Sequence, residues 1–154
     1  MRQRATQPGT TSAPSLTSSC TLPADASQVG EARRWLARNL GDCPAAADAI
    51  LCISELATNT ILHSNNSRKP GGTFTIRAEV HAGDYLCIDV EDNGGPWENH
   101  AHHRDGRLHG LDIVNALAAD WGVDGGPLTG WVVWARLNWP AVGGCQPTQE
   151  NDNA

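Results

Sequence analysis

The longest periodic segment of the chain runs from residue 42 to residue 63, opening at Asp42 or Pro44, and its polar and apolar positions recur at helical spacing. At about 100° per residue, Asp48, Cys52, Glu55, Asn59 and His63 fall on one stripe of the predicted helix. Ala46, Ile50, Ile53, Ala57 and Ile61 fall opposite, and this second stripe is the expected core face. Residues 25–40 repeat the pattern, with Val29, Ala32, Trp35, Leu36 and Leu40 apolar and Gly41 as the stop. Ahead of them, residues 16–22 read as a short edge strand ending at Pro23. After a polar turn at residues 64–72, Phe74, Ile76, Ala78 and Val80 alternate with polar neighbours, the period of a half-buried strand over residues 73–80. Gly83 and Asp84 turn the chain, and residues 85–90 return as a more uniformly apolar, central strand. Residues 106–117 enter a third helix through a glycine, and residues 120–123 and 130–138 complete the pattern as two strands.

Helices with a single apolar face, interleaved with hairpins in this order, predict an α+β two-layer α/β sandwich. The sheet is expected to be mixed and mainly antiparallel, with all three helices on one face. Residues 1–15 are rich in Thr, Ser, Gln and Pro, and residues 141–154 are polar, so both are expected to be disordered tails around one domain spanning residues 16–140.

Composition narrows the function classes. A net charge of −6 and a pI near 5.4 argue against direct contact with nucleic acid or an anionic membrane, and leave a protein partner or a small ligand. No apolar run approaches the roughly 20 residues of a membrane span, and the N-terminus lacks the apolar core of a signal peptide, so the expected location is cytoplasmic. The five cysteines, Cys20, Cys43, Cys52, Cys87 and Cys145, are scattered without a C-x-x-C pair and read as reduced thiols.

Three stretches carry candidate chemistry. On the polar stripe, the Glu55 carboxylate stands one turn from the Asn59 amide, a pair suited to Mg²⁺ coordination and base work. The apolar central strand exits into Glu91-Asp92-Asn93-Gly94-Gly95-Pro96, where an acid followed by glycines can floor a ligand site. Further on, Gly106 to Gly110 lead into the third helix, whose free backbone N–H groups suit a phosphate. His100, His102 and His103 lie on the polar stretch between, with no cysteine nearby, and are not read as a zinc site.

In order and spacing, these stretches resemble the N, G1 and G2 boxes of the histidine kinase-like (GHKL) ATP-binding domain, shared by histidine kinases, gyrase B and MutL. The matching residues are Glu55-Leu-x-x-Asn59-x-x-x-His63, then Asp92-x-Gly94-x-Pro96, then Gly110-Leu-x-Ile-Val114. Ala32-Arg-Arg-Trp-Leu36, Leu117-Ala-x-x-Trp-Gly122 and Val133-Trp-Ala135 are similar to the small stand-alone actinobacterial members of the anti-sigma factor serine kinase (RsbW-like) type.

The resemblance implies a Bergerat ATP-binding fold with ATP and Mg²⁺ as cofactors. It implies that Glu55 is the general base and that Asn59 is the Mg²⁺ ligand, with His63 closing the same box. It makes Asp92 the acceptor for the adenine amino group, with Gly94 and Pro96 beside the base. Gly106, Arg107 and His109 would belong to the lid, and Gly110 and Leu111 to the phosphate-facing helix start. The implied activity is a serine/threonine-protein kinase that binds a sigma factor and phosphorylates a Ser of a STAS-type anti-anti-sigma factor, with a homodimer left open. The alternative is a binding module that has kept the pocket without catalysis. Three positions depart from the pattern: Val132 stands where relatives carry a Thr able to touch the adenine site, His109 where Arg or Gly is frequent, and Pro96 where the broader family has a third glycine.

Overall fold

The structure is a computed structural model that describes residues 15–63, 71–92, 110–126 and 128–139. The two tails expected from composition, the turn after the second helix and the His-containing stretch lie wholly or almost wholly outside the described residues.

β1 (Ser15–Pro23) is followed by a single 3-10 turn, Ala26–Gln28, and α1 (Val29–Leu40). Asp25 caps the turn, its Oδ1 accepting from the Ser27 backbone N–H at 2.9 Å, and this bond holds the carboxyl below its ordinary pKa. Gly41 ends α1 at φ 52, a left-handed conformation that glycine adopts without steric cost. α2 (Ala46–His63) begins a few residues later than Asp42 or Pro44, because residues 41–45 are used in the connecting turns. The hairpin β2 (Thr73–His81) and β3 (Tyr85–Glu91) follows, then α3 (Gly110–Leu117), and finally β4 (Asp120–Gly126) and β5 (Gly130–Asn138).

The strands form one five-stranded sheet in the order β1-β2-β3-β5-β4. Every neighbouring pair is antiparallel, so the sheet is not mixed as expected. The reason lies in the last strand. β3 and β4 both run opposite to β5 and therefore parallel to each other, but β5 inserts between them and removes the parallel pairing that the β3-α3-β4 crossover would otherwise make.

The core lies between the helices and one face of the sheet. Phe74, Ile76 and Ala78 of β2, Leu86, Ile88 and Val90 of β3, and Val133, Ala135 and Leu137 of β5 face Ala32, Leu36 and Leu40 of α1, Val114 of α3 and the inner side of α2. Burying each of the Val, Leu, Ile and Phe side chains among them contributes about 1.5–3 kcal/mol. On α2 the buried positions are Ala49, Cys52, Ile53, Leu56, Ala57, Thr60 and Ile61. The core face is therefore centred between the two expected stripes, and the polar stripe runs along the flank of α2 instead of its back. No helix among the described residues is long and apolar enough to cross a membrane.

The other face of the sheet carries a polar ladder. Arg77 Nε lies 3.1 Å from Asp89 Oδ1, and the same guanidinium pairs with Glu91. Beside it Trp134 lies flat over Gly122, where an added Cβ would meet the indole ring at 2.8 Å.

Candidate functional site

The long elements spread the candidate residues from the middle of α2 to the end of β3. At the end where α2 begins, Pro44 and Ala45 before α2, Asp48 in its first turn, Leu117 at the end of α3 with Ala118 and Ala119 after it, and Leu137 and Asn138 from the end of β5 line an open cleft of about 260 Å³. An 18-residue helix and a nine-residue strand each extend for roughly 27–30 Å. Away from the cleft, the end of β3 meets the start of β5 and the second half of α2 runs towards the same end, while α3, eight residues and about 12 Å long, begins roughly level with the middle of α2. These are the elements of Glu55 and Asn59, of Gly110 and Leu111, of Asp92, and of Trp131.

The cleft also orients the flank of α2. Because Asp48 shares the cleft with the segment after α3, the polar stripe of α2 faces the α3 side. Glu55 and Asn59 lie on that flank and are half-buried. Leu111, half-buried at the start of α3, packs against the core. Cys52 shares the stripe by spacing but is fully buried, and its thiol is pushed up to about 11, first by burial and then by the negative charges of Asp48 and Glu55. It is a core residue and not a nucleophile.

Asp92 is the best-defined member of the group. Only 5% exposed, it closes the ladder beyond β3: its backbone N–H donates to the Trp131 carbonyl at 2.9 Å, and its Oδ1 accepts from the Trp131 N–H at 3.0 Å. One carboxylate oxygen is thereby held by the main chain of the neighbouring strand, which fixes the direction of the group. Gly130 makes this approach feasible. Its φ is 97, and a Cβ there would stand 2.5 Å from the Asp92 carbonyl oxygen.

Gly130 and Trp131 are the site residues that sequence reasoning missed. The available signal was a glycine immediately before the last strand, a pattern that marks a turn as readily as a close approach. The register also corrects the role of Val132. It pairs with Glu91 and Asp124 and points to the outer face of the sheet, whereas Trp131 stands beside Asp92 on the helix side. Gly94, Pro96, Gly106, Arg107 and His109, and the side chain of His63, lie outside the described residues.

Among the described residues, no three His, Cys, Asp or Glu side chains group closely enough to hold a metal ion by themselves. The donor on hand is the Asn59 amide, a hard oxygen ligand. It suits a Mg²⁺ ion that takes one or two protein ligands and fills its octahedron with phosphate oxygens and water.

The two-layer sandwich and the acid fixed at the end of its central strand define an ATP-binding domain class. Residues 22–136 match the histidine kinase-like ATPase domain, and the chain belongs to that family. Among solved structures it is similar to the RsbU and RsbW domains of Rv1364c from Mycobacterium tuberculosis, at 22% identity and a TM-score of 0.59, over 84% of this chain and 34% of that one. The histidine kinase domain of the Erythrobacter litoralis blue-light activated histidine kinase is also similar, at 22% identity and a TM-score of 0.49, over 77% of this chain and 62% of that one. The chain thus spans less than two thirds of either. No curated protein sequence matches it.

Proposed function

We propose that the chain binds ATP with Mg²⁺ on the side of α2 that faces α3 and transfers the γ-phosphate to a serine of a protein partner, a STAS-type anti-anti-sigma factor, while acting as an anti-sigma factor. The observation that carries this reading is the fixed Asp92 carboxylate at the end of β3, together with the half-buried Glu55 and Asn59 on the flank of α2 that faces α3. The likeness to the Mycobacterium tuberculosis protein, whose RsbW domain stands beside an RsbU domain, supports the choice of kinase type.

In this reading Asp92 offers its carboxylate to the adenine amino group and selects the base, and Trp131 packs beside it. The first turn of α3, beginning at Gly110, presents its N–H groups to the phosphates. Bound Mg²⁺ would be held by Asn59 and would neutralise phosphate charge. Glu55 accepts the proton of the serine hydroxyl as its oxygen bonds to the γ-phosphorus and the bond to the β-phosphate oxygen breaks, giving phosphoserine and ADP. Because phosphoryl transfer depends chiefly on positioning and charge neutralisation, a rigid helix flank and a pinned carboxylate are the contributions required of the protein.

The test is single-turnover transfer of labelled γ-phosphate to a co-purified partner. Glu55→Gln keeps size and hydrogen bonding but removes basicity, so the rate should fall by about 10²–10⁴ while ATP affinity changes little. Equal rates for the two forms would remove Glu55 from the mechanism. A second reading, a nucleotide-regulated module that sequesters its partner without catalysis, is favoured by Trp131 and Val132 standing where relatives often carry Lys and Thr. It forecasts ATP binding with no transfer in either form.

A further inference from the structure

We infer that the open cleft where α2 begins is a docking site for an arginine side chain of a protein partner. No nucleotide or phosphate takes part, so the site stands apart from the proposed kinase activity.

Size and lining choose the kind of guest. At about 260 Å³ the cleft is smaller than the roughly 300–1,000 Å³ of sites that enclose a cofactor or a drug-sized ligand, and it is open. Such a space suits one long side chain whose backbone stays outside. Pro44, Ala45, Leu117, Ala118 and Leu137 give it apolar walls, and Asp48 and Asn138 give it polar ends. An aliphatic stem on an apolar wall with its charged head at a carboxylate is how arginine and lysine side chains are accommodated at surfaces. α3 also ends at this cleft. Among the described residues, no main-chain N–H donates to the carbonyls of Asn115, Ala116 or Leu117, and the last carbonyls of a helix are acceptors with partial negative charge. α2 begins at the same place, but its positive end is met by Asp48 in its first turn. A planar guanidinium with five N–H donors can serve a carboxylate and several carbonyls together, a better match than the compact ammonium of lysine.

The charge around the rim has the sign that such a guest complements. Asp42 stands two residues before Pro44, and Asp84 lies beside Asn138, its carbonyl accepting from the Trp139 N–H at 2.8 Å. Asp42, Asp48 and Asp84 are all exposed, and among the described residues none of them takes part in an ion pair. Arginines of the chain itself are engaged elsewhere. Glu31 holds Arg34 and Arg38, Arg77 bridges Asp89 and Glu91, and Arg136 lies over the Tyr85 ring. Three carboxylates with no countercharge around one small apolar cleft attract a cation and repel an anion, and the apolar walls favour a cation that carries a hydrocarbon stem.

The experiment follows amide NMR spectra of the full chain during titration with a capped peptide, Ala-Ala-Arg-Ala-Ala, with circular dichroism confirming the fold of every variant. Saturable shifts should appear at Asp48, Ala118 and Ala119 and not at Asn59 or Asp92. Asp48→Asn should weaken binding by about three- to tenfold, and Asp48→Arg should abolish it. Ala119→Leu, at an exposed lining position, should abolish it by filling the cleft. The same peptide with lysine should bind less tightly, and with citrulline, which has the shape of arginine without its charge, not at all. Absence of saturable shifts overturns the inference, as does binding that survives both Asp48→Arg and Ala119→Leu. Equal binding of the lysine or citrulline peptide overturns the choice of arginine. Spermidine or free arginine binding as tightly as the peptide makes the guest a small amine, and self-association that Asp48→Arg removes makes it a second copy of the chain; either result overturns the assignment to a protein partner.

Discussion

A carboxylate that must recognise an amino group has to present an acceptor in a fixed direction, and Asp92 does so because one of its oxygens is already used by the Trp131 N–H. Asp92→Asn replaces an acceptor by a group that is half donor. Adenine nucleotide binding by calorimetry should weaken by roughly 1–3 kcal/mol, and unchanged affinity would exclude Asp92 from base recognition. Gly130→Ala places a Cβ 2.5 Å from the Asp92 carbonyl oxygen at a φ of 97. It should cost about 1–3 kcal/mol in urea unfolding and weaken nucleotide binding with it, since the strand start that holds the acid must move. Asp92 was legible in the sequence because an acid followed by glycines at a strand exit is a local pattern. Its partner was not, since the bond joins residues 39 positions apart and no local spacing encodes it.

At the scale of the element, α2 tests how far a helical wheel can be read. The wheel correctly grouped Asp48, Glu55 and Asn59 on one side. It placed that side opposite the core, whereas Ala49, Cys52, Leu56 and Thr60 draw the buried face about a sixth of a turn towards it. A purely solvated back would have left Glu55 and Asn59 in water. The flank instead leaves them half-buried against the α3 side. Cys52 carries a measurable sign of this offset. Its thiol pKa is raised from 9.0 to about 11 in the folded chain, so the native state keeps its proton where the unfolded chain loses it. Stability is unaffected below about pH 9 by this group and falls as pH rises from about 9 towards 11. Chemical denaturation across that window should show the fall, and Cys52→Ala should flatten it. The folded protein should also resist iodoacetamide at Cys52 near pH 8, with labelling appearing on unfolding.

For the whole molecule, element order and the single helix layer followed from periodicity alone, while strand order did not, because nothing local says that the last strand takes an inner place. If nucleotide binds only the folded form, ATP with Mg²⁺ at a hundredfold excess over its Kd should add about 2.7 kcal/mol of stability. For a chain of this length that is a rise of roughly 5–10 °C in Tm, and no shift at saturating ATP would count against the site. The inner position of β5 also governs how the molecule comes into being. On the ribosome, Asp92 is made well before Trp131, and at roughly 5–20 residues per second the 39 positions from one to the other take about 2–8 s. Throughout that interval β3 is a bare edge and the acid has no main-chain support. Nascent chains arrested before residue 130 should therefore be recognised by chaperones and hold no nucleotide, and competence for ligand should arrive in one step with the strand that completes the sheet.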